Sequence, residues 1–138
     1  VTPSHILDTC ALLDLVADKW KNPSARQHLT AARQPVVHTL TAWEISRKFR
    51  LGKLDLPCDI NSIEEFLTEV MQQFQLTWFA PDLSNACMAE QLPMIHKDPV
   101  DRMILALGLQ HRIPVFSSDR QFLAYECEVI NPRQGGEK

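Results

Sequence analysis

A chain of 138 residues with 45% apolar content is long enough to bury one substantial core without disulfides, and it holds no apolar run near the roughly 18 residues of a membrane-spanning helix. Asp and Glu number 17 against 14 Lys and Arg, a net charge of −3 that argues against a protein coating nucleic acid with a broad basic surface. Acids gathered in one site and neutralised by a cation would still leave Arg and Lys elsewhere to meet phosphates.

The opening Val1-Thr2-Pro3-Ser4-His5 lacks the charged-then-apolar pattern of a secretory leader, so a cytoplasmic protein is expected. Ile6-Leu7-Asp8 then reads as a short buried strand with a carboxylate at its tip. A helix follows through Ala11-Leu12-Leu13 and Leu15-Val16, Asn22-Pro23-Ser24 interrupts it, and a second helix runs over about 25–33. Val36-Val37-His38 is a second strand, with the hydroxyls of Thr39 to Thr41 suited to capping the helix that carries Ala42-Trp43-Glu44-Ile45. Gly52 stops that helix. After a loop over 54–60, Ile63, Phe66, Leu67, Val70, Met71 and Phe74 recur at helical spacing.

Leu76-Thr77-Trp78-Phe79 is the third strand, and Pro81-Asp82 introduces a helix over about 83–91. His96-Lys97-Asp98-Pro99 prepares a further helix with a buried side of Met103, Ile104, Leu105, Leu107 and Leu109. Val115-Phe116 and Val129-Ile130 supply the last strands, and residues 132–138 form a polar tail expected to be flexible. Strands separated by helices favour a mostly parallel sheet covered on both faces, so the expectation is one α/β domain of three layers over residues 1–131.

Cys10, Cys58, Cys87 and Cys127 are scattered without metal-ligand spacing and read as small apolar side chains in or near the core. Trp20, Trp43 and Trp78 read as core residues rather than base-stacking platforms, and His96 as a loop residue rather than a ligand.

In a parallel sheet, functional groups collect where strands end and helices begin. Asp8, Glu44, Asp101 and Asp119 all fall at that edge, from four segments distant in sequence. Each alone is readable as a cap, a turn or a solvated acid. Together they would repel one another unless a divalent cation offset their charge, and oxygen-only ligation favours Mg²⁺ or Mn²⁺, which shares its coordination with phosphate. A phosphate ester is the implied substrate.

The ordered set Ile6-Leu7-Asp8-Thr9, Ala42-Trp43-Glu44-Ile45, Asp98-Pro99-Val100-Asp101-Arg102-Met103-Ile104 and Ser117-Ser118-Asp119-Arg120 resembles PIN-domain ribonucleases, specifically VapC-like toxins of VapBC toxin–antitoxin systems. Leu51-Gly52-Lys53-Leu54 and Phe122-Leu123-Ala124-Tyr125 extend the resemblance over about 6–130. It implies a three-layer α/β/α PIN-like fold and a catalytic, metal-holding set of Asp8, Glu44, Asp101 and Asp119. Asp98 either reaches the metal through water or caps the helix begun by Pro99, the cap being favoured; Thr9 and Ser117 match supporting hydroxyls. The resemblance further implies one or two Mg²⁺ ions, RNA as substrate, a homodimer, and a VapB-like antitoxin covering the site.

Arg47, Lys48, Arg102 and Arg120 are the phosphate-contact candidates, with Arg50 and Lys53 nearby; the plainer reading of the Arg47 to Lys53 stretch is a solvated helix face. The exposed faces of the first two helices are plausible partner surfaces. Competing readings are a PIN nuclease of RNA processing or DNA metabolism outside a toxin system, and a non-catalytic PIN-like binding module. Receiver-type and dehalogenase-type α/β domains fit poorly, because Thr9 and Cys10 stand where those sites want a second acid.

Overall fold

Strands of two to four residues alternate with helices along the chain, so most strands reach their neighbours in the sheet only by a crossover, the condition for parallel pairing. The computed structural model describes residues 2–134. Its elements are β1 (His5–Leu7), α1 (Thr9–Val16), α2 (Pro23–Ala31), β2 (Pro35–His38), α3 (Thr39–Arg50), α4 (Ile63–Gln73), β3 (Thr77–Phe79), α5 (Leu83–Gln91), α6 (Pro99–His111), β4 (Val115–Phe116) and β5 (Val129–Ile130). Short 3₁₀ turns occupy Ile60–Ser62 and Arg120–Ala124. The five strands lie in the order β3-β2-β1-β4-β5, and every pairing is parallel.

The two-residue period of a strand explains the three layers. Ile6, Val36 and Val115 point to one face, where α5 and α6 cover them with Ala89, Leu92, Ile104 and Leu105. Their successors Leu7, Val37 and Phe116 point to the other face, into a core built by α1, α3 and α4 with Trp20. Both faces are dry, which is why these strands read as continuous apolar runs.

Helix starts follow side-chain caps. Asn22 accepts from the Ser24 amide with Pro23 in the first turn, so α2 begins two residues before the sequence expectation. The start of α3 differs in kind: His38 Nδ1 accepts from the Leu40 amide, and the threonines do not cap the helix. Thr41 is instead buried against Thr9. Glycine is required in the middle of α6, where a Cβ on Gly108 would lie 2.8 Å from Cys127 Sγ and 2.9 Å from a Val115 methyl. Gly108→Ala should therefore destabilise the fold by about 1–3 kcal/mol despite alanine's better helix propensity, read as a lower urea midpoint.

Two expectations about small and aromatic residues are corrected in part. Cys10 and Cys87 are exposed and Cys58 is partly buried, whereas Cys127, also partly buried, packs against the core as expected. Trp20 is buried and Trp78 partly so, but Trp43 is 56% exposed on the outer side of α3, where Arg47 lies over its ring at 5.9 Å. Of the large exposed apolar side chains among the described residues only Val16 belongs to the first two helices; Trp43, Leu51, Leu83, Met94, Ile95 and Leu123 lie outside them.

The chain remains tied down beyond β5. The Pro132 carbonyl accepts from the amides of Lys21 and Asn22, and Arg133 closes a two-contact ion pair on the buried Asp14 at 2.6 and 3.2 Å. Residues 135–138 of the expected flexible tail lie outside the described residues.

Candidate active site

From β1 the chain builds the sheet outward through β2 and β3, then returns to add β4 and β5 on the other side. Loops leaving β1 and β4 therefore part in opposite directions and open a crevice at their carboxyl ends. Asp8 follows β1 and Asp119 lies just beyond β4, so the topology alone brings two of the expected acids to that crevice.

Asp8 is only 2% exposed. Its Oδ1 accepts from the Ala11 amide at 2.7 Å, capping α1, and Ser117 hydrogen-bonds its carboxylate. Burial pushes its pKa up to about 6; the Ser117 and Ala11 hydrogen bonds oppose the rise, and the charge of Asp119 adds to it. Asp101, in the first turn of α6, is pushed up to about 8, first by burial and then by the charges of Asp98, Asp8, Glu44 and Asp119. Asp101 thus feels the charge of all four other acids at this edge.

Supporting groups hold several of these acids. Thr9 donates to Glu44 Oε1 at 2.6 Å, and Lys48 pairs with Glu44 Oε2 at 3.2 Å from the next turn of α3. Burial works against the Lys48 charge, but the hydrogen bond and charge of Glu44 outweigh it and raise the lysine pKa. Ser117 Oγ accepts from the Asp119 amide, linking β4 to the Asp8 carboxylate through one hydroxyl. Asp98 Oδ1 accepts from the amides of Val100 and Asp101 and caps α6, the role favoured from sequence.

The basic candidates divide. Arg120 is exposed and lines a cavity of about 330 Å³ with Ser117, Ser118, Asp119 and Asn131. Arg47, Arg50 and Lys53 are exposed, and Lys48 is the one placed on a site acid. Arg102 is corrected: it is 3% exposed, and its two Nη atoms donate to the carbonyls of Pro93, His96, Ala89 and Leu92 at 2.7–3.0 Å. It organises a loop and does not face substrate.

His96 is the residue that sequence reasoning set aside. Its Nε2 lies 2.8 Å from Asp119 Oδ2 and 3.1 Å from Asp101 Oδ2, and one ligand-type atom from each of the three lies within 4.8 Å of the others. The available signal was proximity, since His96 stands two residues before Asp98 on the approach to α6.

The carboxylate set fits a divalent cation. Asp8 and Asp101 are held far above ordinary acid pKa values partly by neighbouring acids, a conflict that a hard cation would relieve. Both folded-state pKa values exceed the unfolded 3.8, so their contribution to stability is full below about pH 4 and is lost as pH rises through about 6 and about 8. In EDTA the melting temperature should fall between about pH 5 and about pH 8.5, and Mg²⁺ should restore more of it at the higher pH. A melting temperature in EDTA that rose over that interval would show the acids to be satisfied without a cation.

Fold and site together define a parallel α/β domain with an acidic crevice at its topological switch point. The chain belongs to the PIN domain family, whose model matches residues 5–126. No curated protein matches it. Among solved structures it is similar to DNA-bound VapBC from Salmonella typhimurium, with a TM-score of 0.65 at 17% identity over 94% of this chain and 98% of that one. A toxin–antitoxin complex from Klebsiella pneumoniae gives 0.62 at 20% identity, covering 94% and 98%. FitAcB from Neisseria gonorrhoeae gives 0.63 at 20% identity, covering 93% and 97%. These likenesses show the fold. No helix among the described residues is long and apolar enough to cross a membrane.

Proposed function

We propose that this protein is a Mg²⁺-dependent endoribonuclease, the cytoplasmic toxin of a toxin–antitoxin pair, with Mn²⁺ able to replace Mg²⁺. The observation that carries the reading is the burial of Asp101 among the charges of Asp98, Asp8, Glu44 and Asp119, an arrangement that a bound divalent cation would neutralise. Asp8, Glu44, Asp101 and Asp119 would hold one or two ions, with Asp98 capping α6 beside them. When bound, such an ion lowers the pKa of a water and offsets charge gathering on a phosphodiester.

The protein's own side chains set the conditions for that chemistry. Thr9 and Ser117 fix the carboxylates of Glu44 and Asp8, so little reorganisation is needed when substrate arrives. Arg120, exposed at the cavity beside Asp119, meets a substrate phosphate, as does Lys48 on exchanging Glu44 for it. Arg47 extends the same contact along α3. Water rather than the RNA 2′-hydroxyl is the attacking group, so products carry 5′-phosphate and 3′-hydroxyl ends.

The partner reading rests on the similar structures, described as a toxin–antitoxin complex and as VapBC. It gives this chain a VapB-like antitoxin, which on this reading covers the acidic crevice; the homodimeric state proposed for the chain rests on the family resemblance alone. The test is digestion of total bacterial RNA by antitoxin-free protein with Mg²⁺, with EDTA, and with Asp119→Asn. Discrete cuts with 5′-phosphate ends that vanish with EDTA and with the substitution are expected. Cleavage that survives the substitution would place the activity outside this crevice; absence of cleavage by metal-loaded protein would leave a binding module.

A further inference from the structure

His96 is held more firmly than a connecting loop requires. Its amide donates to Tyr125 Oη at 2.8 Å, and that hydroxyl donates on to the Pro93 carbonyl at 2.7 Å. Its own carbonyl accepts from Arg102, whose guanidinium also gathers the carbonyls of Ala89, Leu92 and Pro93. Its ring meets Phe122 edge-on at 5.6 Å, and its side chain is 8% exposed. Three buried side chains, Arg102 from α6 and Phe122 and Tyr125 from the 3₁₀ turn after β4, therefore converge on the placement of one imidazole.

The hydrogen bonds around the ring determine which nitrogen carries the proton. The Asp98 amide donates to Nδ1 at 3.3 Å, which requires a lone pair there and places the ring hydrogen on Nε2. That N–H faces two acceptors at once, Asp119 Oδ2 at 2.8 Å and Asp101 Oδ2 at 3.1 Å. A nitrogen engaged as donor to two carboxylates has no lone pair to offer a cation.

We propose that His96 is a positioning residue that bridges Asp101 and Asp119 through its Nε2–H, fixing both carboxylates for a divalent cation without ligating it. The inference rests on the metal-dependent reading of this crevice and assigns His96 a role toward the ion separate from that of the acids. One donor shared by two acids holds them close despite their repulsion, and an outer-sphere hydrogen bond of this kind orients a ligand carboxylate. The Arg102 and Tyr125 network makes this bridge part of the folded scaffold, present before any ion arrives.

Mn²⁺ serves as the probe. Calorimetry on RNA-free protein should show His96→Ala binding Mn²⁺ about 10–100-fold more weakly than the parent, while His96→Gln, whose amide can donate from a similar place, recovers most of the loss. Long-range proton–nitrogen NMR of the metal-free parent should report the Nε2–H tautomer. Spin-echo EPR of Mn²⁺-loaded parent, with histidine labelled by nitrogen-15, should show no directly bound imidazole nitrogen. Unchanged Mn²⁺ affinity in His96→Ala, an Nδ1–H tautomer, or a directly bound imidazole nitrogen would each overturn the proposal, and the two parent spectra decide it even if His96→Ala does not fold. Parent protein that binds Mn²⁺ with the bridge in place but cuts no RNA overturns only the nuclease reading; RNA cleavage with a ligated His96 overturns only this one.

Discussion

Asp8→Asn should abolish cleavage and, in the same protein, raise the melting temperature measured in EDTA. The carboxylate is 2% exposed, and its pKa is pushed from 3.8 to about 6, so holding it ionised above that pH weakens the metal-free fold by about 3 kcal/mol. Asparagine keeps an oxygen for the Ala11 amide and the Ser117 hydroxyl while removing the charge. The expected gain is on the order of 10 °C at about pH 8. It should shrink toward about pH 5, where Asp8 itself takes up a proton. Activity should fall on the order of 10³-fold or more, because a neutral amide does not replace an anionic oxygen at a hard cation. Scanning calorimetry in EDTA beside an RNA cleavage assay reads both effects, and a variant that melted below the parent at the higher pH would refute the charge-conflict account.

Arg102→Leu should destabilise the protein by about 3–5 kcal/mol, with a melting temperature lower by about 10 °C or more. The guanidinium is buried and serves four main-chain carbonyls, so its loss strands the turn between α5 and α6 without donors that water can easily replace. Lysine should not rescue, since one ammonium cannot span the fork that reaches Ala89, Leu92, Pro93 and His96 together. Denaturant unfolding of the three proteins is the measurement. A leucine variant that unfolded with the parent's midpoint but bound RNA poorly would return Arg102 to the phosphate-contact role expected from sequence.

The contrast between Asp101 and Arg102 shows how far one line of residues carries an argument. Consecutive helix residues point about 100° apart, so an Asp101 that faces the crevice sends Arg102 elsewhere. That much was available from spacing. What covers Arg102 was not, because its partners are carbonyls of a turn whose path depends on how α5 meets α6. Main-chain acceptors have no sequence signature, and an arginine beside an acid reads the same whether solvated or buried. His96 escaped for a related reason: its residue type fits a loop, and only the convergence of Arg102, Tyr125 and Asp119 gives it a bridging place.

Sequence by itself determined the alternation of strand and helix, the three layers, and the four segments that deliver Asp8, Glu44, Asp101 and Asp119 to one edge of the sheet. Those features are local or periodic: apolar pairs in short strands, helical recurrence, and the Asp98-Pro99 cap repeat rules that each segment obeys alone. Tertiary structure alone decided that Trp43 faces outward, that His38 rather than a threonine caps α3, that Arg102 is buried, and that His96 spans two acids. The physical reason is that a side chain's surroundings are set by which helix face the neighbouring layer covers and by where main-chain carbonyls are left to be satisfied, and both depend on contacts between segments far apart in the chain.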